Sequence, residues 1–95
     1  MRRKIVAGNW KMNNNQSESN ILIHSIIEKN SENSSCNIYV SPSFPFLKDA
    51  VLTCSKSNIK VLSQNVSHLT NGPLTGDVSC IMLKSIGINL SLIHI

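Results

Sequence analysis

Four short apolar runs punctuate the chain, at 4–8, 37–41, 59–63 and 88–93, and the stretches between them follow a different period. Lys4-Ile5-Val6-Ala7-Gly8 stops at a glycine and predicts a strand buried on both faces. From Ser17 to Lys29, Ile21, Leu22, Ile23, Ile26 and Ile27 recur at spacings of three and four, with Glu18, Ser25, Glu28 and Lys29 opposite. That pattern predicts an amphipathic helix, capped by Ser17 or Asn15. Asn37 to Ser41 predicts a second strand, ended by Pro42. Phe44 to Ser55 predicts a second helix, with Pro45 in its first turn and Phe46, Leu47, Ala50, Val51 and Cys54 inward. Ile59 to Ser63 reads as a third strand and Gln64 to Gly76 as a long polar loop. Asp77 to Ile86 reads as a third helix, capped by Asp77 and stopped by Gly87, before a fourth strand from Ile88 to Ile93.

The resulting order, β-α-β-α-β-α-β, implies an α/β fold with a parallel sheet and helices packed outside it. Right-handed crossovers place every strand's C-terminal end on one side. Asn9-Trp10-Lys11-Met12, Ser41-Pro42-Ser43 and the loop from Gln64 converge there, on the side where folds of this kind carry their chemistry.

A chain of 95 residues is at most one small domain, or a piece of a larger one. With 41% hydrophobic and 15% charged residues it is neither an acidic disordered tail nor a coiled coil. No apolar run approaches the roughly 20 residues that span a bilayer, and the basic start lacks a signal peptide's apolar region. Cys36, Cys54 and Cys80 are odd in number and far apart, which disfavours a disulfide framework or a zinc site and predicts reduced, partly buried thiols. The net charge of +4 owes much to Arg2, Arg3 and Lys4, but aromatics are only 4%, so a nucleic-acid module is disfavoured and a field drawing in a small anion fits equally well. The 12 asparagines and 15 serines crowd segments 13–17 and 30–35, which read as loops.

Ala7-Gly8-Asn9-Trp10-Lys11-Met12-Asn13 resembles the first-strand signature of the triosephosphate isomerase family. The resemblance continues in order through Ser41-Pro42-Ser43-Phe44-Pro45-Phe46-Leu47, Ser63-Gln64-Asn65-Val66-Ser67, Gly72-Pro73-Leu74-Thr75-Gly76-Asp77-Val78-Ser79 and Met82-Leu83-Lys84-Ser85-Ile86-Gly87. It implies the N-terminal half of a TIM (β/α)8 barrel. It also implies a cytoplasmic, homodimeric enzyme of glycolysis and gluconeogenesis. The reaction would interconvert dihydroxyacetone phosphate and glyceraldehyde 3-phosphate through an enediolate, with no metal or cofactor and no nucleic-acid or membrane partner.

By this resemblance Lys11 is a catalytic and substrate-binding residue, and Asn9 binds a substrate oxygen. The charge argument for Lys11 is independent. An ammonium ~4 Å from a unit negative charge interacts by roughly 4 kcal/mol at an effective dielectric of ~20, the scale of preorganised electrostatic catalysis. The plainer alternatives are a solvated surface lysine and an asparagine that merely ends a strand. Trp10 and Met12 are expected to pack. The loop 64–77 exceeds ordinary βα connectors. In the family it reaches a neighbouring subunit, so Gln64 and Thr75 are expected at a dimer interface; the alternative is an ordinary loop. His68 is expected to face solvent and His24 to flank its helix.

The pattern departs from the family at Leu90-Ser91-Leu92-Ile93-His94-Ile95, where Gly-His-Ser-Glu-Arg-Arg is expected. His94 is carried over as the candidate electrophile, without the preceding glycine and about one position out of register. The alternative is that residues 90–95 are a non-native tail. The family's catalytic glutamate finds no counterpart, so these residues alone are expected to be inactive as one piece of a barrel. A second possibility is a non-catalytic product that docks through the loop around Thr75.

Overall fold

A computed structural model describes residues 4–30 and 36–94 of the chain. Arg2, Arg3, the 31–35 part of the second polar loop and Ile95 lie outside the described residues.

The strands β1 (Lys4–Asn9), β2 (Cys36–Ser41) and β3 (Lys60–Val61) form one parallel sheet in the order β1-β2-β3. Helix α1 (Gln16–Lys29) links the first pair, and a 3-10 turn (Phe44–Phe46) running into α2 (Leu47–Cys54) links the second. Lys4 pairs with Cys36 and Asn9 with Ser41, so β1 and β2 end level with each other. Helix α3 (Cys80–Ser85) follows the long loop.

The helices start where short polar side chains can satisfy orphan amides. Asn15, rather than Ser17, caps α1: its side chain accepts from the Glu18 N–H while Glu18 reaches back to the Asn15 N–H, a reciprocal capping box. The third helix begins three residues later than expected. Ser79, not Asp77, caps it by accepting from Met82 N–H, and Asp77 stays exposed in the loop. Its end is a Schellman turn: Ile88 N–H donates to Leu83 and Gly87 N–H to Lys84. Gly87 sits at φ +95°, and a Cβ there would lie 3.1 Å from Val51 Cγ1, so the turn requires glycine. The continuous helix expected over 44–55 is broken at its start. Pro45 lacks an N–H, and Phe46 leaves helical geometry before α2 begins.

One core cluster joins Trp10, Ile23, Val40, Ala50, Cys54 and Ile59 between sheet and helices. A second gathers Leu47, Leu83 and Ile88. On α2 the expected inward positions Leu47, Ala50 and Cys54 are buried. On α1 the expected stripe rotates: Ser19 and Ile23 are buried, whereas Ile21 is 67% and Leu22 37% exposed. Apolar spacing alone did not say which flank meets the sheet, and small Ser19 lets the helix approach closely.

Two strand expectations are corrected. β1 is not buried on both faces: Ile5 is 52% and Val6 56% exposed, because β2 is its only neighbour among the described residues. The fourth strand reduces to one parallel bridge, Ser63 with Ser91, followed by a 3-10 turn at Leu92–His94. The third strand likewise shortens to Lys60–Val61. With so few ladder partners in that region, the chain curls before a longer strand can pair.

The cysteines differ in access: Cys36 is half-buried, Cys54 buried and Cys80 exposed, the last against expectation. Burial pushes the Cys54 thiol above its ordinary range, partly offset by a hydrogen bond with Ser57. Maleimide is therefore expected to label Cys80 in the native chain and Cys54 only after unfolding, read by mass spectrometry of the digested protein. Equal native labelling of both would contradict this packing.

Candidate functional site

The level ends of β1 and β2, with the chain leaving β3, form a polar mouth. Trp10 N–H donates to the Ser41 carbonyl at 3.2 Å, carrying the β1–β2 ladder one residue past the strands. That bond turns the Trp10 ring into the core and delivers Lys11 to the surface. Asn13 Nδ2 closes the turn by donating to the Trp10 carbonyl at 2.9 Å. Met12 does not pack as expected; it is 95% exposed, since the turn points it away from the core.

Lys11 adopts φ +55°, in the left-handed region. An L-residue there costs roughly 1–2 kcal/mol unless its surroundings compensate. Three hydrogen bonds do so. Lys11 N–H donates to Asn9 Oδ1 at 2.9 Å. Its carbonyl accepts from Ser43 Oγ at 3.0 Å and from Gln64 Nε2 at 2.7 Å. Gln64 Nε2 also donates to the Ser41 carbonyl at 2.9 Å. Two carbonyl acceptors at one amide nitrogen fix which end of the Gln64 side chain is nitrogen. Each of the three strand ends thus supplies a group that holds the Lys11 backbone.

The chemistry this permits is anion recognition. Asn9 Oδ1 is engaged by a backbone amide, which leaves Nδ2 to donate to a ligand oxygen beside the exposed Lys11 side chain. The residues are exposed, so the charge acts at full strength only when something excludes water from the mouth.

The remaining candidates lie apart. Thr75 is exposed in the long loop, where Leu69 is 39% and Leu74 41% exposed. The loop's base is closed by Ser67 N–H donating to the Val78 carbonyl at 2.8 Å. His24 and His68 are both exposed. His94 ends the last 3-10 turn, and its imidazole lies outside what is described. A groove of about 760 Å³ runs between the loop, α3 and Ser91; neither Asn9 nor Lys11 lines it. Among the described residues, no group of three or more His, Cys, Asp or Glu side chains could hold a metal ion. No described helix is long and apolar enough to cross a membrane.

Sequence reasoning missed two groups. Ser43 was placed on this side within a family-like segment but given no role of its own. Gln64 was read as a dimer-interface residue at the start of the loop on this side, and its bonds within the chain became visible only with the fold.

The family model for triosephosphate isomerase matches residues 4–94. Triosephosphate isomerase of Flavobacterium psychrophilum is 48% identical over 89 residues, covering 94% of this chain and 36% of the relative. The enzyme of that name from Flavobacterium johnsoniae is 38% identical over 89 residues, covering 94% and 36%. That from Chlorobium phaeobacteroides is 39% identical over 88 residues, covering 92% and 35%. The chain therefore spans about a third of the length of these relatives.

Proposed function

This chain belongs to the triosephosphate isomerase family, and we propose that it contributes the Asn9–Lys11 part of an active site that interconverts dihydroxyacetone phosphate and glyceraldehyde 3-phosphate. Its parallel strands and intervening helices are the α/β arrangement of the N-terminal half of a TIM barrel. The observation that carries the proposal is the Lys11 backbone, held in the left-handed region by groups from three strand ends. Such preorganisation matters where charge develops during a reaction. The Lys11 ammonium would stabilise the substrate phosphate and the enediolate oxygen, and Asn9 Nδ2 would donate to a substrate oxygen. His94 is proposed as the electrophile that polarises the substrate carbonyl.

The proton abstraction that makes the enediolate needs a base. The described carboxylates have other places: Glu18 closes the capping box, Glu28 lies near the end of α1, Asp49 is exposed on α2, and Asp77 is exposed in the loop. We assign the base to a glutamate outside the described residues. The chain alone is then expected to bind dihydroxyacetone phosphate weakly, perturbing the Asn9 and Lys11 amide resonances, without turnover in a coupled isomerase assay. Measurable turnover by the chain, or silence at both amides, would overturn the reading.

The complete protein is proposed to be a cytoplasmic homodimer in glycolysis and gluconeogenesis, with Thr75 and Gln64 near the partner. Exposed Leu69 and Leu74 on the long loop support a protein contact there. The same exposure favours, as a second reading, a non-catalytic module that docks through this loop. Co-purification with a complete subunit, lost on Leu74→Asp, would distinguish it from an unattached piece.

A further inference from the structure

Ser43 stands at the N-cap of the 3-10 turn Phe44–Phe46, with φ −65° and ψ 155°, the position where a serine side chain ordinarily accepts from the turn's orphan amides. It makes no such bond. The turn is closed through the backbone instead, Phe46 N–H donating to the Ser43 carbonyl at 3.0 Å. The hydroxyl donates across the mouth to the Lys11 carbonyl, 32 positions earlier in the chain, at 3.0 Å. A local capping role is therefore vacant, and among the described residues the hydrogen bond this hydroxyl makes holds a residue in a disfavoured backbone conformation.

We propose that Ser43 is a positioning residue for Lys11: its hydroxyl holds the Lys11 carbonyl so that the backbone keeps its left-handed turn and the ammonium is presented at the mouth. The part that concerns substrate rests on the isomerase reading above. Ser43 and Gln64 are two donors to one Lys11 carbonyl, at 3.0 and 2.7 Å. The Gln64 amide is divided between two carbonyls, those of Lys11 and Ser41, and so ties β3 to β2 as well. Among the described residues the Ser43 hydroxyl bonds Lys11 alone. A threonine presents the same hydroxyl; an alanine presents none.

The test uses this chain as Ser43→Ala and Ser43→Thr, observed by nuclear magnetic resonance and titrated with inorganic phosphate. In Ser43→Ala, the Lys11 Cα shift and its HN–Hα coupling are expected to leave left-handed values, and phosphate affinity at Lys11 to fall roughly two- to tenfold. Ser43→Thr is expected to restore both. Amide exchange within α2 should be unchanged, because the hydroxyl caps nothing there. An unmoved Lys11 coupling in Ser43→Ala would overturn the proposal, as would loss of protection in α2 that accounts for the change. If the coupling moves but neither protein binds phosphate, the positioning role stands and the isomerase reading falls.

Discussion

Lys11→Met, made in the longer isomerase proposed above to contain this segment, is expected to lower kcat/KM for dihydroxyacetone phosphate by at least about 10²- to 10³-fold, the scale of losing one preorganised donor from an active site. The isostere keeps the aliphatic stem and removes only the charge, so the fold should persist. Thermal unfolding within a few degrees of the parent would show that. The backbone bonds to Asn9, Ser43 and Gln64 involve only the Lys11 amide and carbonyl, which methionine retains. Loss should appear in kcat as well as KM, because the phosphate and the developing oxyanion draw on the same charge. Near-parental turnover would remove Lys11 from the chemistry.

The second large effect is expected from Gln64→Glu. Gln64 Nε2 gives one hydrogen to the Lys11 carbonyl and one to that of Ser41. An ionised glutamate has no donor and would set negative oxygens against two carbonyl oxygens. Two lost bonds plus that repulsion cost about 2–4 kcal/mol, discounted toward the lower end because the site is only half-buried. The sign with pH follows. The folded state disfavours the charged carboxylate, so its folded pKa lies above the unfolded one. The variant's deficit is complete above the folded value and shrinks as pH falls through the unfolded value, leaving one bond unmade because a protonated carboxyl has a single O–H. Urea unfolding of variant and parent at neutral and acid pH would display this convergence. A pH-independent gap would mean that the amide's shape, not its hydrogens, was at stake.

Much of the framework was legible because it depends on local chemistry. Asn15 was one of the two caps the sequence offered for α1, and Gly87 after an apolar helix is a stop that only glycine can make. Leu47, Ala50 and Cys54 follow helical spacing to the core. What failed depended on neighbours. The apolar composition of Lys4 to Gly8 says that this strand prefers burial, not whether anything lies beside its far edge. Ile21 and Leu22 resemble core residues as much as Ile23 does, and only the packing of α1 against the sheet separates them. Asp77 and Ser79 are both good caps, and the loop's closure through Ser67 and Val78 decided in favour of Ser79. At the mouth, Asn9 and Lys11 were found through a motif. Ser43 lies in a family-like segment as well, but its bond to Lys11 was not legible, because its partner is 32 positions away and no local pattern records it.

The level pairing of Asn9 with Ser41 makes the mouth a gauge of strand alignment. A slip of β2 by one position would carry Ser41 and Ser43 away together and turn each side chain toward the opposite layer. Lys11 would then lose its tether and relax to an ordinary turn. Misassembled molecules would be silent rather than faulty at this corner, since the left-handed turn at Lys11 is held only once three distant stretches of chain have met in the right order.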